Sequence, residues 1–171
     1  MQQAFPMLAG QRVLVVGGSS GIGLAVARSA AAAGAGVTIA ARDPGRLAEV
    51  VAHLGAGAAR APLDTTDAAQ VEAFFAAAAP FDHIVVTAAA LRSGPVRDLP
   101  LEAARATFAS KFWGPYLIAR FARFSGEGSL TLVSGAAGRR PRAGRGPVAA
   151  ACAAIEALTK VKPLVGVSKA E

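Results

Sequence analysis

Cysteine is nearly absent from this chain: Cys152 stands alone, so no intrachain disulfide can form, and a reducing, intracellular setting is expected. No uninterrupted apolar run is long enough to cross a bilayer. The opening stretch, MQQAFPMLAGQRVLVV, lacks a basic segment leading into a long apolar one, so no signal peptide is read there and the cytoplasm is the expected location. Histidine is limited to His53 and His83, neither with a partner evident in the sequence. No spacing of His, Cys and Asp suits a metal ion, and none is expected. What the chain does have is apolar residues, 53% of 171 and much of it alanine. That is enough for one domain, residues 1–171, with a real hydrophobic core.

Positive charge is in excess, +7 overall, and unevenly placed. Arg139, Arg140, Arg142 and Arg145 crowd into GRRPRAGRG. Such a segment can meet an anionic substrate, cofactor phosphates or nucleic acid, or simply be a solvated loop. No aromatic residue stands among the arginines to stack bases, so nucleic acid is not the expected partner.

Short runs rich in Val, Ile and Leu alternate with longer Ala-rich segments. Strands are read at 12–16, 37–41, 60–63, 84–87 and 130–134. Helices are read at 21–33, 44–54, 67–79, 101–124 and 147–160. Asp43-Pro44 marks a helix start, Asp67 and Gln70 have capping-box spacing, and Pro115 is expected to kink or interrupt the fourth helix. Leu164–Val167 is a candidate for one further short strand. Unbroken β-α alternation predicts a Rossmann-type α/β fold: a doubly wound parallel sheet of at least five strands between two helical layers.

Between the first strand and the first helix lies Gly17-Gly18-Ser19-Ser20-Gly21-Ile22-Gly23. A turn this tight needs residues without a Cβ, and the helix start behind it offers free N–H groups and the positive end of a dipole to a phosphate. At this place in a βαβ unit the pattern predicts a dinucleotide pyrophosphate site. The second strand ends Ala41-Arg42-Asp43. An arginine there accommodates the 2′-phosphate of NADP, where an acid would hold the ribose of NAD, so NADP is expected over NAD.

The spacing Gly-x-x-x-Gly-x-Gly, as GGSSGIG, resembles the short-chain dehydrogenase/reductase family. Asp64-Thr65 after the third strand resembles the family's acid near the adenine. Val86-Thr87-Ala88-Ala89 stands where the family has Asn-Asn-Ala-Gly, and Lys111-Phe112-Trp113-Gly114 where it has Asn-x-x-Gly. LTLVSGAAG resembles the fifth strand and its serine-bearing end. The resemblance, from about Arg12 to Lys160, implies a cofactor site of Gly17, Ser19, Ser20, Gly21, Ile22, Gly23, Arg42, Asp64, Thr65, Thr87, Ala88 and Ala89. It also implies hydride transfer between the nicotinamide and a carbonyl or alcohol.

The family's proton machinery is a Tyr, a Lys four residues on, a Ser and a supporting Asn. In register, Val148, Cys152, Gly135 and Lys111 occupy those places. Val148 cannot exchange a proton, and an alcohol proton needs a poised partner at neutral pH. The remaining candidates are Lys111, whose ammonium would reach a substrate carbonyl or a cofactor phosphate, and Ser134, beside Gly135 but on the opposite strand face. Tyr116 with Arg120 is a weaker alternative. Two functions stay open: an NADP-dependent oxidoreductase with an atypical site, or a catalytically silent nucleotide-binding sensor or partner subunit.

Relatives of this type usually continue past the fifth helix. With order 3-2-1-4-5 the fifth strand is then an open edge, and association, aggregation or marginal stability is expected. The fourth and fifth helices, which the family often uses for pairing, make a homodimer the expected assembly. A truncated chain or a disrupted reading frame would account for the ending equally well.

Overall fold

The computed structural model describes residues 7–161, so the candidate strand at Leu164–Val167 lies outside the described residues. Five strands, β1 (Arg12–Val16), β2 (Gly36–Ala41), β3 (Ala59–Pro62), β4 (Phe81–Val86) and β5 (Phe124–Leu132), form one parallel sheet in the order β3-β2-β1-β4-β5. Central β1 pairs with β2 from Arg12 against Gly36 and with β4 from Val13 against His83.

Strand alternation sends successive side chains of β1 to opposite faces, and both faces are covered. Val13 and Val15 pack with Val37 and Ile39 under α1 (Gly21–Ala32) and α2 (Pro44–Leu54), which contribute Ala27, Ala30 and Leu47. Leu14 and Val16 pack with Ile84 and Val86 under α3 (Ala68–Ala77) and α5 (Gly114–Phe121), which contribute Val71, Phe75 and Ile118. The result is the expected Rossmann-like sheet with helices on both faces.

The helix starts follow the side-chain chemistry. Asp43 accepts the Arg46 N–H at 3.0 Å, with Pro44 in the first turn of α2. Asp67 accepts the Gln70 N–H at 3.1 Å. The capping-box expectation needs adjusting here, because the Gln70 amide oxygen takes the Asp64 N–H, not that of Asp67.

The fourth helix departs most from expectation. Instead of a helix running from 101 to 124 there is α4 (Leu101–Phe108), a π turn over Ala109–Trp113, and then α5. Pro115 sits in the first turn of α5, and the irregularity lies ahead of it. Proline has no N–H for the carbonyl four residues back, at Lys111, and the wider turn accommodates that loss. β5 begins earlier than expected, at Phe124, and bulges against β4 between the Phe81 and His83 pairings. It is one edge of the sheet among the described residues, with β3 at the other. A 3₁₀ turn (Ala136–Gly138) and the arginine loop then lead to α6 (Gly146–Leu158).

Candidate functional site

At the carboxyl ends of β1, β2 and β4 the sheet opens into a cleft of about 730 Å³. Every one of the twelve residues expected at the cofactor lines it, from Gly17 and Ser19 through Gly23, then Arg42, Asp64, Thr65, Thr87, Ala88 and Ala89. Such crevices at the strand ends, where the crossover direction reverses, are where open α/β sheets bind ligands.

The glycine turn is a close-packed joint. A Cβ on Gly17, whose φ is +89°, would fall 2.6 Å from the Ala88 nitrogen. One on Gly23 would fall 2.2 Å from the Gly17 oxygen and 2.5 Å from Thr87 Oγ1. Thr87 completes the joint by donating from Oγ1 to the Val16 carbonyl at 3.1 Å. Behind this turn α1 is uncapped: Ser20 makes no side-chain cap bond, and the first helix bond runs from the Leu24 N–H to the Ser20 carbonyl at 3.1 Å. Amides of the first turn therefore lack intrahelical acceptors and open on the cleft, a cradle suited to a phosphate.

The β2 end of the cleft is basic. Arg42 is exposed there, and Arg46, one helical turn on, lines the same space. Arg46 was not anticipated; its signal in the sequence is a second arginine four residues after the first, held by the Asp43 cap. Opposite stands Asp64. Burial pushes its pKa up, but hydrogen bonds from the Thr66 amide and hydroxyl and the charge of Arg42 outweigh that and hold the carboxylate below its usual 3.8. Ser110 also lines the cleft and was missed. Its Oγ donates to the Ala90 carbonyl and accepts the Ala90 N–H, both at 3.0 Å, fixing the backbone that follows β4.

The catalytic candidates lie elsewhere. Lys111 is only 5% exposed, and its Nζ donates to the Val133 carbonyl at 2.5 Å, away from the residues that line the cleft. Burial lowers its pKa, against the neighbouring Cys152, which raises it. Ser134 donates to the Cys152 carbonyl at 3.1 Å and to Glu156 at 3.2 Å. Glu156 is in turn paired with Arg139 at 2.8 Å, and this ion pair holds its carboxylate below the usual range. Val148 and Cys152 are buried on α6, and a Cβ on Gly135 would lie 3.3 Å from Cys152 Sγ. Gly135, Lys111 and Cys152 are thus neighbours, as their register implies.

Tyr116 and Arg120 form no dyad. The tyrosine ring packs on Phe112 and Trp113, and the guanidinium lies over Phe121. His83 does have partners, Ser129 at 2.7 Å and Gln11 at 2.9 Å, invisible in sequence because they are 46 and 72 residues away. Among the described residues no three His, Cys, Asp or Glu side chains cluster to hold a metal, and no helix is long and apolar enough to cross a membrane.

Comparison with known proteins supplies the family. The short chain dehydrogenase profile matches residues 11–163. The chain belongs to the short-chain dehydrogenase family. A short-chain dehydrogenase/reductase of Stachybotrys chlorohalonatus is 30% identical over 176 residues, 93% of this chain and 70% of that protein. A probable oxidoreductase of Streptomyces lividans is 36% identical over 139 residues, 76% of this chain and 46% of that one. The crystal structure of a short chain dehydrogenase from Burkholderia cenocepacia in complex with NADP superposes with a TM-score of 0.84 at 30% identity, covering 90% of this chain and 67% of that one. The chain therefore spans 46% to 70% of the length of these relatives. It is a member of an oxidoreductase family whose cofactors are nicotinamide dinucleotides.

Proposed function

We propose that this chain binds NADP(H) in the cleft, with the pyrophosphate on the uncapped start of α1 and the 2′-phosphate on Arg42 and Arg46. The observation that carries this reading is the pair of guanidiniums at the β2 end of a cleft whose other end is a glycine cradle. A guanidinium grips a phosphate with paired, charge-assisted hydrogen bonds, and no carboxylate stands first after β2 to favour an unphosphorylated ribose. The complex of the Burkholderia cenocepacia relative with NADP supports the same choice.

When bound, the nicotinamide ring supplies or accepts a hydride. What this chain's residues contribute to the accompanying proton is the second part of the proposal. Val148 and Gly135 have no group to exchange, Ser134 is committed to Cys152 and Glu156, and the Lys111 amine is committed to a backbone carbonyl. The geometry therefore favours nucleotide binding without the family's proton relay, as a sensor or partner subunit. One observation supports hydride transfer on a carbonyl by an atypical site: burial makes Lys111 a readier proton donor than an ordinary lysine. We further propose that two copies pair through the face of α4, the π turn, α5 and α6.

The deciding experiment is a thermal-shift titration with NADPH and NADH. A cofactor at about a hundred times its Kd stabilises the fold by about 2.7 kcal/mol, or about 5–10 °C for a domain of this size. The expected shift is larger with NADPH, and R42A removes that difference. Equal shifts in the parent chain overturn the 2′-phosphate assignment, and no shift with either cofactor overturns the site. NADPH oxidation over a panel of carbonyl compounds decides between the two catalytic readings: steady turnover that K111A abolishes establishes the atypical enzyme.

A further inference from the structure

Two loops that follow the carboxyl ends of β4 and β5 are joined. The segment after β4 and the segment before α6 meet where the Gly94 N–H donates to the Gly144 carbonyl at 2.7 Å, and a Cβ on Gly146 would touch Val96 at 3.2 Å. The first segment is pegged to α4 as well, by the bond from the Arg92 N–H to Thr107 Oγ1 at 3.0 Å. This junction assembles one surface from residues about fifty apart in sequence.

That surface is strongly basic. Arg92, Arg97, Arg140, Arg142 and Arg145 are all exposed, and among the described residues none of their guanidiniums makes an ion pair or a side-chain hydrogen bond. Only Arg139 is spoken for, by Glu156. Among the arginines lie apolar side chains open to solvent, Val96 at 79% exposed and Leu91 at 41%.

We infer that this face docks an acidic surface of another protein. Five exposed guanidiniums without a carboxylate partner among the described residues match a field of carboxylates and raise the rate of encounter. The apolar side chains between them decide against nucleic acid. A phosphate backbone gains nothing from Val96, whereas a protein interface places apolar residues at its centre with arginine around them. This surface does not depend on which cofactor the cleft takes.

The test uses a fluorescein-labelled helical peptide with a leucine stripe flanked by glutamates, followed by anisotropy. Binding is expected in dilute salt and is weakened as the Debye length falls from about 14 Å near 50 mM salt to about 4 Å near 500 mM. R142E/R145E is expected to weaken it about tenfold or more, and V96S by a smaller factor. R28E/R123E makes the same change in net charge away from this face and is expected to leave binding within about twofold. Equal losses in the two double variants mean attraction to net charge alone and overturn the inference. Tighter binding of a labelled DNA duplex, lost in R142E/R145E, overturns it in favour of nucleic acid. The NADPH thermal shift, measured on the same variants, is expected to be unchanged, so a missing cofactor response and a missing partner response are read separately.

Discussion

Lys111 shows how one side chain can sit at a functional position and be directed elsewhere. Its amine is buried against the Val133 carbonyl, and the burial favours the neutral form. Between the lowered folded pKa and the usual 10.5, the unfolded chain holds more protons than the folded one, so stability rises with pH across that window. K111M, which keeps the length and drops the charge, is expected to lose this dependence. Its melting temperature relative to the parent should be highest below the folded pKa of Lys111 and fall back as pH approaches 10.5. Parallel melting curves against pH for the two proteins would mean that the amine is hydrated and free. The pH dependence has the same sign for Asp64, though here it is the charged form that the fold favours: its carboxylate is kept below 3.8 by Thr66 and Arg42 against its burial. Its contribution is present above that value and is lost as the solution is acidified through the folded pKa.

At the scale of the element, the glycine turn and the π turn carry the site. G23A places a methyl 2.2 Å from the Gly17 carbonyl oxygen and 2.5 Å from the Thr87 hydroxyl. A clash with backbone costs about 1–3 kcal/mol, so the variant is expected to melt several degrees lower and to lose its response to NADPH. G36A, where the nearest atom is 3.8 Å away, is the control and is expected to melt near the parent chain. Equal behaviour of the two would remove the close joint from the account. The turn was legible because its requirement is steric and local: three glycines at fixed spacing between a strand and a helix. Arg42 was legible for the same reason, as a strand-end residue at a known offset. The π turn was not, because Pro115 announces a break without saying on which side it falls. That uncertainty matters, since the wide turn puts Ser110 on the cleft and turns Lys111 toward β5.

For the whole molecule, the alternation of apolar runs was enough to specify the layers and the strand order, because right-handed crossovers leave few alternatives. Long-range polar pairs such as His83 with Gln11 and Ser129 were beyond reach, since nothing local encodes a contact across the sheet. The proposed homodimer belongs to this scale too. Phe108, Phe112, Trp113 and Tyr116 form one aromatic cluster, with Trp113 at 53% exposed. W113E is expected to shift the chain from dimer to monomer in size-exclusion chromatography with light scattering, with the NADPH response kept. A parent chain that is already monomeric would sink the pairing.

Thr87 reaches the Val16 carbonyl across 71 positions of sequence, and Ala88 backs the Gly17 turn from the same distance. The proposed phosphate cradle is therefore a late product of synthesis. A nascent chain that has emerged only through β3 owns its glycines but not the strand against which they close. Contacts of such separation are slow to form and costly in loop entropy. Under the proposed function, nucleotide uptake acts as a checkpoint: it reports that β4 has docked, and an amino-terminal fragment ending before Phe81 is expected to remain blind to the cofactor however much helix it contains.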